Sequence, residues 1–379
     1  MNKKEVKKAP TLRFKGFTND WELHKLDEIV KFYGGLTYHP ENIQEDGTLV
    51  LRSSNIHNNQ IVLKDTVHVS PEIVNTSNVN VNDIIVVVRN GSRKLIGKHA
   101  RVLKAMPNTV IGAFMTGIRS QNSKFVNALF DGDIFQREIY KNLGATINQI
   151  TIKSFKEMEF YIPQNHEKQI IGNLISQIDN LLALQQRKLE SFQFTYHEII
   201  RRLFLKKAKW QQTKLSDLVT ILDKNRKPVK KEDRLFGDTP YYGANGIQDY
   251  ISGFTHKGEF ILIAEDGANS LTEYPIYFVK GQIWVNNHAH VLKVNKDVSP
   301  LFLALALKQI NYSKYTVGSS RNKLNLKDLE NIAIFIPDNN EQQKIGQFYS
   351  NYLNYLRINK KRIQYMKQFK QFLLQNMFI

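Results

Sequence analysis

Short stretches rich in Arg, Asn, Ser and Gly carry side chains that are chemically suited to binding nucleic acid. In the first half of the chain these candidates are Arg52, Ser54, Asn55, Arg89, Asn90, Ser92, Arg93, Lys94, Thr146 and Asn148. In the second half they are Tyr242, Asn245, Asp266, Asn269, Asn287, His288, His290, Ser319, Ser320, Arg321 and Lys323. Arginine can bond two acceptors of guanine, Asn can bond adenine, Asp can accept from cytosine, and Ser and Thr hold phosphates. We therefore predict that these residues contact DNA.

Each stretch also fits an ordinary surface turn, because Gly, Asn, Asp and Ser dominate turns whatever their function. The charge of the whole chain helps to separate the two interpretations. Its 379 residues include 53 Lys and Arg against 35 Asp and Glu, which gives a formal net charge of +18. Such an excess attracts polyanions and makes their binding dependent on salt. It favours nucleic acid, with a ribosomal or membrane-surface location, or no polyanion at all, as alternatives.

The segments that resemble catalytic or metal-binding motifs match those motifs only in part. Gly91–His99 resembles a phosphate-binding loop, but it has one residue too many between its glycines and a histidine in place of a hydroxyl. Asp338 and Glu341 resemble part of a nuclease motif, but their spacing suits a helix start, where an acidic residue favours the helix dipole. His288 and His290 alternate without an evident third ligand. We predict no catalytic and no metal-binding residue.

Composition indicates the class of protein and its environment. The chain contains no cysteine, which excludes disulfides, thiolate zinc sites and cysteine nucleophiles. Met1–Lys8 is lysine-rich and lacks the apolar segment of a signal peptide. The longest apolar run, Leu301–Leu307, is too short to cross a bilayer. We predict a soluble, cytoplasmic protein of two or three domains.

The elements that must position the candidate loops occur twice. The first copy opens with Trp21 in the sequence Trp-Glu-Leu-His-Lys-Leu, and the second with Trp210 in Trp-Gln-Gln-Thr-Lys-Leu. Each copy closes with Ile-Pro, a Glu-x-Gln and an Ile-Gly pair, and Pro163 and Pro337 mark these two segments at an offset of 174 residues. So many special residues in the same order indicate an internal duplication.

A seam of residues spaced alternately by three and four follows each Ile-Pro, as is typical of a coiled coil. The first seam comprises Ile171, Ile175, Ile178, Leu182, Gln185, Leu189, Phe192, Tyr196, Ile199 and Leu203. The second comprises Ile345, Tyr349, Tyr352, Leu356, Asn359, Ile363, Met366, Lys370, Leu373 and Met377. We predict two helices of about 55–60 Å that pack on each other.

The orientation of the two helices follows from the link between the first helix and the second domain. The link at 205–209 is too short to return along such a helix, so the helices must be antiparallel. The polar seam members Gln185 and Asn359 would then face each other near the middle. A buried polar pair at that point would fix the helix register.

Between these frames the sequence is β-rich and the two copies do not align. Strands are predicted at 49–52, 84–89, 100–103, 260–264, 276–279 and 289–294, and helices at 125–142 and 301–309. We predict an α+β fold in which two duplicated β-rich globular domains are separated by two long antiparallel coiled-coil helices, with pseudo-twofold symmetry. The predicted boundaries are a basic leader at 1–20, a first domain at 21–163, a central spacer helix at 164–209, a second domain at 210–337 and a C-terminal spacer helix at 338–379.

Several further segments occur in the same order, namely Phe14–Glu22, Tyr242–Gly246, Leu262–Asn269, Trp284–Val291 and the two Ile-Pro helix starts. With these segments the sequence resembles, over nearly its whole length, the specificity (S) subunit of Type I restriction-modification systems. The pattern departs from the typical seam at Lys370, where the first copy has Tyr196. That departure leaves open whether the last turns of the second helix belong to the seam or to a partner interface.

The resemblance implies a non-catalytic subunit whose two target-recognition domains each read one half of a bipartite DNA site, with the paired helices setting the gap. It implies two methyltransferase (M) subunits that dock on the helices and methylate adenine N6 from S-adenosylmethionine. It also implies two motor-nuclease (R) subunits that use ATP and Mg²⁺, and no cofactor bound by this chain itself. A stand-alone sequence-specific DNA-binding regulator and, from Asp338 alone, a nuclease are the alternatives.

Overall fold

A computed structural model of the chain describes residues 8–143, 148–205, 210–318 and 322–379. The chain forms two compact units. Unit 1 consists of Met1–Arg187 with Lys361–Ile379, and unit 2 of Lys188–Lys360. Within the described ranges, no helix has both the length and the hydrophobicity that a bilayer-spanning segment requires.

The strands and helices are numbered in chain order. The strands are β1 (Glu22–Lys25), β2 (Lys31–Gly34), β3 (Ile43–Gln44), β4 (Thr48–Leu51), β5 (Ile56–His57), β6 (Gln60–Ile61), β7 (Val67–Val69), β8 (Ile84–Val87), β9 (His99–Arg101), β10 (Thr109–Ile111), β11 (Met115–Arg119), β12 (Glu159–Ile162), β13 (Gln211–Lys214), β14 (Val219–Ile221), β15 (Phe236–Gly243), β16 (Gly246–Ile251), β17 (His256–Ala264), β18 (Ile276–Val285), β19 (Ala289–Val294) and β20 (Ala333–Ile336). The helices are α1 (Leu26–Ile29), α2 (Ser123–Asp131), α3 (Asp133–Asn142), α4 (Ile152–Lys156), α5 (Asn165–Leu205), α6 (Pro300–Leu307), α7 (Leu326–Glu330) and α8 (Asn339–Met377).

The duplicated frame appears as the same strand pair in each unit. In unit 1, β1 pairs antiparallel with β12 so that Glu22 lies opposite Ile162. In unit 2, β13 pairs with β20 in the corresponding register, with Gln211 opposite Ile336. The predicted duplication of the frame is therefore confirmed.

The sheets between these frames differ, which explains why the two middles do not align. Unit 1 has two four-stranded sheets, ordered β10-β4-β7-β3 and β2-β11-β8-β9. Unit 2 has one six-stranded sheet, ordered β14-β19-β17-β18-β15-β16. Every residue of β8 is buried because both faces of this strand are covered. The α+β class, the two β-rich units and the long helices are as predicted.

A glycine in the first turns of each long helix lets that helix approach its own unit closely. A Cβ on Gly172 would lie 2.6 Å from the backbone nitrogen of Phe125 in α2. A Cβ on Gly346 would lie 2.8 Å from Oγ of Ser299, which precedes α6. Atoms cannot pack at such distances, so the glycine that recurs in both copies is required by close packing. Ser299 Oγ also accepts the N–H of Phe302 at 3.4 Å, the bond that an N-cap residue makes at the start of α6.

The start of α8 accounts for the acidic residues that resembled a nuclease motif. Asp338 Oδ1 accepts the backbone N–H of Glu341 at 2.9 Å, the bond that an N-cap residue makes. The carboxylate of Asp338 therefore caps a helix, in agreement with the prediction.

The single helix predicted at 125–142 is wrong, because Gly132 divides it into α2 and α3. Gly132 adopts an extended conformation with φ −82° and ψ 153°. The resulting turn brings Phe130 of α2 and Phe135 of α3 face to face, with ring centroids 4.1 Å apart. Glycine is a poor helix former, and here the burial of two aromatic rings favours the break.

Within unit 2 the end of α5 packs antiparallel on the start of α8. The ring of Phe192 lies 4.0 Å from that of Tyr355, and the ring of Tyr196 lies 3.3 Å from that of Tyr352 and 5.5 Å from that of Phe348. As residue numbers rise along α5, the numbers of their partners on α8 fall. The ring contacts therefore show that the two helix segments run antiparallel, as predicted from the short link.

Within unit 1 the start of α5 packs antiparallel on the end of α8. Gly172 lies against Phe125, whose ring is 5.6 Å from that of Phe378. Seven residues further along α5, Asp179 Oδ1 lies 2.5 Å from Nζ of Lys370. Partner numbers on α8 again fall as numbers on α5 rise.

The seam differs from the prediction near the end of α5. Ile199 was predicted as a seam member but is 46% exposed, whereas Ile200 is 2% exposed. After Tyr196 the buried positions are spaced by four residues, through Ile200 to Phe204. A step of four residues is longer than the 3.6 residues of one helical turn, so the buried face of α5 rotates slightly with each step. This rotation directs the last apolar residues toward the core of unit 2.

The polar seam members are both half-buried. Asn359 Nδ2 donates to the carbonyl of Tyr355 in its own helix at 2.8 Å. Gln185 belongs to unit 1 and Asn359 to unit 2. Their pairing across the seam stays a prediction.

The tryptophan that opens each copy packs on the end of a long helix. Trp21 meets Phe378 edge-on, with ring centroids 6.2 Å apart, and Trp210 meets Phe204 in the same manner at 5.3 Å. Phe204 and Phe378 are themselves related by the offset of 174 residues. In unit 2 this helix precedes the tryptophan, whereas in unit 1 it follows at the other end of the chain.

The leader, residues 8–20, joins the two helix ends in unit 1. Arg13 donates to both carboxylate oxygens of Glu167 at 2.7 and 2.8 Å, and Glu167 is fully buried in the first turn of α5. The N–H of Leu12 donates to the carbonyl of Asn376 near the end of α8 at 2.8 Å. The leader is therefore an integral part of unit 1.

Candidate nucleic-acid interface

Three predicted loops of unit 1 come together beyond the ends of β4 and β8, and Asn90 connects them. Its Nδ2 donates to Oγ of Ser53 at 3.1 Å, and its backbone N–H donates to the carbonyl of Asn148 at 3.2 Å. Asn148 Nδ2 in turn donates to the carbonyl of Gly91 at 2.9 Å. The segments 52–55, 89–94 and 148–149 therefore form one surface, here called the unit 1 loop surface.

Cationic side chains project from the unit 1 loop surface. Arg89, Arg93 and Lys94 are exposed, as is Ser92. The guanidinium of Arg89 lies over the ring of Phe114, 5.0 Å from its centroid. Such a contact holds an arginine in one direction while leaving its N–H groups free to bond a ligand. This surface can therefore offer preoriented donors to an anion or to a base edge.

Two adjacent predicted residues of this surface, Ser54 and Asn55, differ in exposure. Asn55 is fully buried, and its Nδ2 donates to the carbonyls of Val62 and Lys64 at 3.3 and 3.0 Å. Its Oδ1 accepts the N–H of Arg52 at 2.9 Å. Asn55 is thus placed to hold the loop in shape, while the adjacent Ser54 is exposed.

Two further cations lie at the base of the surface. Arg52 is half-buried and donates to the carbonyl of Asp65 at 2.5 Å. Lys98 Nζ lies 3.4 Å from the carbonyl of Ser53, and burial lowers the pKa of its amine. Both side chains add positive charge beneath the exposed loops.

In unit 2 the predicted loops that follow β15, β17 and β18 also meet. Asn245 Nδ2 donates to the carbonyl of Gly267 at 2.9 Å, and its Oδ1 accepts the N–H of Asn269 at 3.0 Å. Nδ1 of His288 lies 2.5 Å from Oδ1 of Asp266. Asn245 and Asn269 are exposed, and Asp266 and His288 are half-buried.

The remaining described candidates of unit 2 border these loops. The carbonyl of Tyr242 accepts the N–H of Asn286 at 3.0 Å, so the half-buried Tyr242 lies beside the exposed Asn287. Lys323 is exposed, and its Nζ lies 3.6 Å from Oε1 of Glu265. Together with the segments 245–246, 266–269 and 286–288, these residues form the unit 2 loop surface.

A buried ionic network supports the unit 2 loop surface. His290, predicted to face DNA, is 1% exposed. Its Nδ1 lies 2.6 Å from Asp223 Oδ2 and its Nε2 lies 2.9 Å from the carbonyl of Leu324, so both ring nitrogens face acceptors. Arg226 lies 2.6 Å from Glu265 and 3.3 Å from Asp223. His290 thus positions the loops from below.

The network alternates in charge, and this affects the protonation of Asp223. Burial alone would raise the pKa of its carboxyl group. The hydrogen bond and charge of His290, the N–H of Val291 and the charge of Arg226 outweigh burial and hold that pKa below its ordinary value. Asp223 is therefore ionised at neutral pH.

Asp223, Glu265 and His290 each offer an atom that can bind a metal ion, and these atoms lie close enough together to do so. The guanidinium of Arg226, however, lies within bonding distance of both carboxylates. It supplies the positive charge that a metal would bring, so these residues are better assigned to the ionic network.

Sequence reasoning missed Asp223 and Arg226 as members of the site. Asp223 and Arg226 lie in the segment after β14 and reach the other loops only through the fold. The signal available in the sequence was the basic run of 224–231, in the first part of the predicted second domain. Thr146, Ser319, Ser320 and Arg321, which were also predicted to contact DNA, lie outside the described residues.

Comparison with protein families gives a match over most of the chain. The model of the Type I restriction modification DNA specificity domain matches twice, at residues 18–192 and 207–368. The two matches coincide with the two copies found by internal repetition.

Individual relatives match over shorter stretches. A Haemophilus influenzae protein named as a type I restriction enzyme specificity subunit is 44% identical over 131 residues, which cover 35% of this chain and 34% of that protein. The StySPI specificity subunit of Salmonella potsdam is 27% identical over 179 residues, which cover 43% of this chain and 38% of that protein. The matched stretches thus span less than half the length of either relative.

A solved structure shares the fold over nearly the full length. The crystal structure of a Type I restriction-modification S subunit from M. genitalium aligns with 98% of this chain and 99% of its own, at a TM-score of 0.72 and 20% identity. At this identity, the likeness is one of architecture.

Proposed function

This chain belongs to the family of Type I restriction modification DNA specificity domains, and we propose that it is the DNA-specificity subunit of a Type I restriction-modification complex. The observation that carries the proposal is the presence of two separate loop surfaces, one within each family match. Both present Arg, Lys, Asn or Ser side chains to solvent on a chain of net charge +18. These side chains read base edges and hold phosphates.

We propose that each loop surface reads one half of a bipartite site, and that the two halves differ. The exposed side chains of the unit 1 loop surface include the cations Arg89 and Arg93, whereas those of the unit 2 loop surface include the amides of Asn245, Asn269 and Asn287. Arginine pairs best with guanine and asparagine with adenine. Two unlike surfaces support an asymmetric site.

We assign direct contact to the exposed and half-buried candidates of both surfaces and a positioning role to Asn55 and His290. Both are buried and use their polar atoms within the protein. Substitution of either would then act through loop geometry and not through a lost base contact. In this proposal the chain itself performs no catalysis.

The long helices are proposed to set the number of unread base pairs between the halves and to dock two methyltransferase (M) subunits. Exposed apolar side chains on the helices support a docking role: Leu184 is 58% exposed, Phe194 72%, Tyr365 55% and Phe369 53%. Large apolar side chains exposed in number are typical of interaction sites. The M subunits would methylate adenine N6 from S-adenosylmethionine, and two motor-nuclease (R) subunits would add ATP- and Mg²⁺-dependent translocation and cleavage.

Methylome sequencing tests the proposal directly. Cells that produce the cognate M subunits with and without this chain should differ in N6-methyladenine at one gapped motif with two unlike halves. Methylation without a motif, or none at all, would contradict it. A stand-alone regulator would instead leave the methylome unchanged while the isolated chain binds one DNA sequence tightly.

A further inference from the structure

Unit 2 exposes two neighbouring apolar side chains at the start of β15, the end of this strand opposite to the unit 2 loop surface. Leu235 is 75% exposed and Phe236 is 92% exposed, and nearby Phe254 is 48% exposed. Single exposed apolar residues are common on proteins. A phenylalanine that is almost fully exposed next to an exposed leucine is less common. Leu235 and Phe236 are here called the apolar tip.

The backbone of the apolar tip is held by the sheet. The carbonyl of Leu235 accepts the N–H of Ser252 at 2.8 Å, and Phe236 pairs with Ile251 in the β15–β16 ladder. A register shift follows Phe236, and a Cβ on Gly237 would lie only 2.6 Å from the carbonyl carbon of Ile251. Glycine therefore permits a bulge, which fixes the direction of the preceding side chains.

Arg234, directly before the apolar tip, is anchored inward. Its guanidinium lies over the ring of Tyr241, 4.2 Å from the centroid, and it donates to Asp249 at 3.3 Å and to the carbonyl of Val229 at 3.2 Å. With residues fixed on both sides, Phe236 is exposed on a strand whose backbone is hydrogen-bonded to β16. A preorganised apolar side chain can enter a partner at low entropic cost.

The segment that leads to the apolar tip is rich in exposed cations. Lys224, Lys227, Lys230 and Lys231 are exposed, against the two exposed acids of 232–233. This lysine segment begins at the unit 2 loop surface, where the adjacent Arg226 joins the buried network. The lysines complement a polyanion along the way from the loop surface to the apolar tip.

We propose that Phe236, supported by Leu235, inserts between stacked base pairs of the DNA bound by unit 2, while the lysine segment holds the neighbouring phosphates. Apolar wedges flanked by cations are the devices with which proteins unstack and kink a duplex. The inference rests on the proposed function and adds to it a contact that reads the deformability of DNA.

The strand geometry places this insertion relative to the bases that are read directly. Because of the bulge, Phe236 pairs with Ile251 and Tyr242 with Ile247, only four residues apart on β16, a distance of about 13 Å at ~3.3 Å per residue. For a duplex that runs along β15, at 3.4 Å per base pair, this corresponds to about four base pairs. The site should therefore show a preference for an easily unstacked pyrimidine–purine step about four base pairs from the half read by unit 2.

The test uses the full chain with its M subunits and duplexes that carry the methylated motif, with 2-aminopurine at successive positions. The wild-type complex should raise the fluorescence at one step about four base pairs from that half-site. Phe236→Ala should abolish this signal and weaken binding about tenfold, as loss of a base–aromatic contact does. Leu103→Ala, which truncates a 52% exposed apolar side chain in unit 1, is the matched control and should change neither quantity.

A double substitution separates the lysine segment from the wedge. Lys230→Ala with Lys231→Ala should reduce the slope of log affinity against log salt by about two and leave the 2-aminopurine signal in place. An unchanged slope would contradict phosphate contact by these residues.

The outcomes distinguish the wedge from the proposed function. A methylated motif together with unchanged unstacking and affinity in Phe236→Ala would overturn the wedge alone. Weaker binding of the M subunits by Phe236→Ala, with DNA binding unaffected, would identify the apolar tip as a protein interface and also overturn it. Absence of any motif with the wild type would overturn both.

Discussion

Lys370 Nζ lies 2.7 Å from Oδ2 of Asp131, although 239 residues separate the two in sequence. Asp179 lies 2.5 Å from the same nitrogen, and Nε2 of His99 lies 3.1 Å from the other carboxylate oxygen of Asp131. Where the first copy has the aromatic contact of Tyr196, the second therefore has a buried ion pair. The last turns of α8 belong to the core of unit 1.

Removal of Lys370 should destabilise unit 1 strongly. Lys370→Met leaves two carboxylates without their cation, and Asp131 has only 3% of its side chain exposed. Breaking a buried pair in this way costs about 3 kcal/mol in the free energy of unfolding. Urea unfolding followed by the fluorescence of Trp21, with Trp210 and Trp284 replaced by Phe, would report on unit 1 alone. Lys367→Met alters an exposed lysine of the same helix and should shift stability by less than about 0.5 kcal/mol.

The stability of unit 1 should depend on pH through Asp131. Burial raises the pKa of its carboxyl group, but His99 and Lys370 outweigh burial and bring it below the ordinary 3.8. A carboxyl group with a lowered folded-state pKa contributes stability above its unfolded pKa and loses it as the pH falls through the folded value. The difference in unfolding free energy between wild type and Asp131→Asn should thus be largest near neutral pH and shrink below about pH 4. A difference that grows toward acid pH would refute this.

Tyr196→Phe should stabilise unit 2. The hydroxyl of Tyr196 is buried and finds no hydrogen-bond partner among the described residues, although its ring stacks on that of Tyr352. Removing an unsatisfied buried hydroxyl should add about 1 kcal/mol to the free energy of unfolding. Tyr196→Ala removes the ring as well and should cost about 3–4 kcal/mol. Both changes can be followed through the fluorescence of Trp210, and a loss of stability in Tyr196→Phe would show that the hydroxyl is satisfied.

Arg93→Ala should relax one half of the methylated motif. Arg93 is exposed on the unit 1 loop surface, and loss of one bidentate base contact is worth about 1–3 kcal/mol of discrimination. Methylome sequencing should show degeneracy in the half read by unit 1 and no change in the other half. Lys104→Ala, an exposed lysine outside the predicted loops, is the control. Changes in both halves would argue against independent reading.

Lengthening both helices should alter the gap and leave the half-sites unchanged. Four residues inserted near Gln185, matched by four near Asn359, add about 6 Å to each helix. This length corresponds to one or two base pairs at about 3.4 Å each. The methylome should show a longer gap between the same two halves. An unchanged gap would mean that the helices do not set the spacing.

The repeated frame could be predicted because it depends on local signals. The Ile-Pro sequence, the glycine at 172 and 346 and the helical seam are each visible within a short window, and their repetition at one offset strengthens every prediction. The loops that form the two surfaces were also recognisable from their composition. Their convergence depends on the fold, because in unit 1 they follow strands of two different sheets.

What escaped prediction depends on contacts between distant parts of the chain. Lys370 is a lone charge in an apolar seam until Asp131 and Asp179 are placed beside it. The role of Asp223 likewise depends on its contact with His290. The end of α2 at Gly132 depends on the stacking of two aromatic rings that lie outside the seam. Helix period and charge carry no information on such partners.

Unit 1 is assembled from two segments that leave the ribosome at different times. Its core includes Leu373, Leu374 and Met377 from the end of α8, whereas unit 2 is formed by one continuous segment, Lys188–Lys360. Domains usually fold in the order of synthesis, with the N-terminal one first. In this chain unit 2 can be complete while unit 1 still lacks the C-terminal part of α8 that belongs to it. The core of unit 1 therefore stays partly uncovered until residues 361–379 have been made.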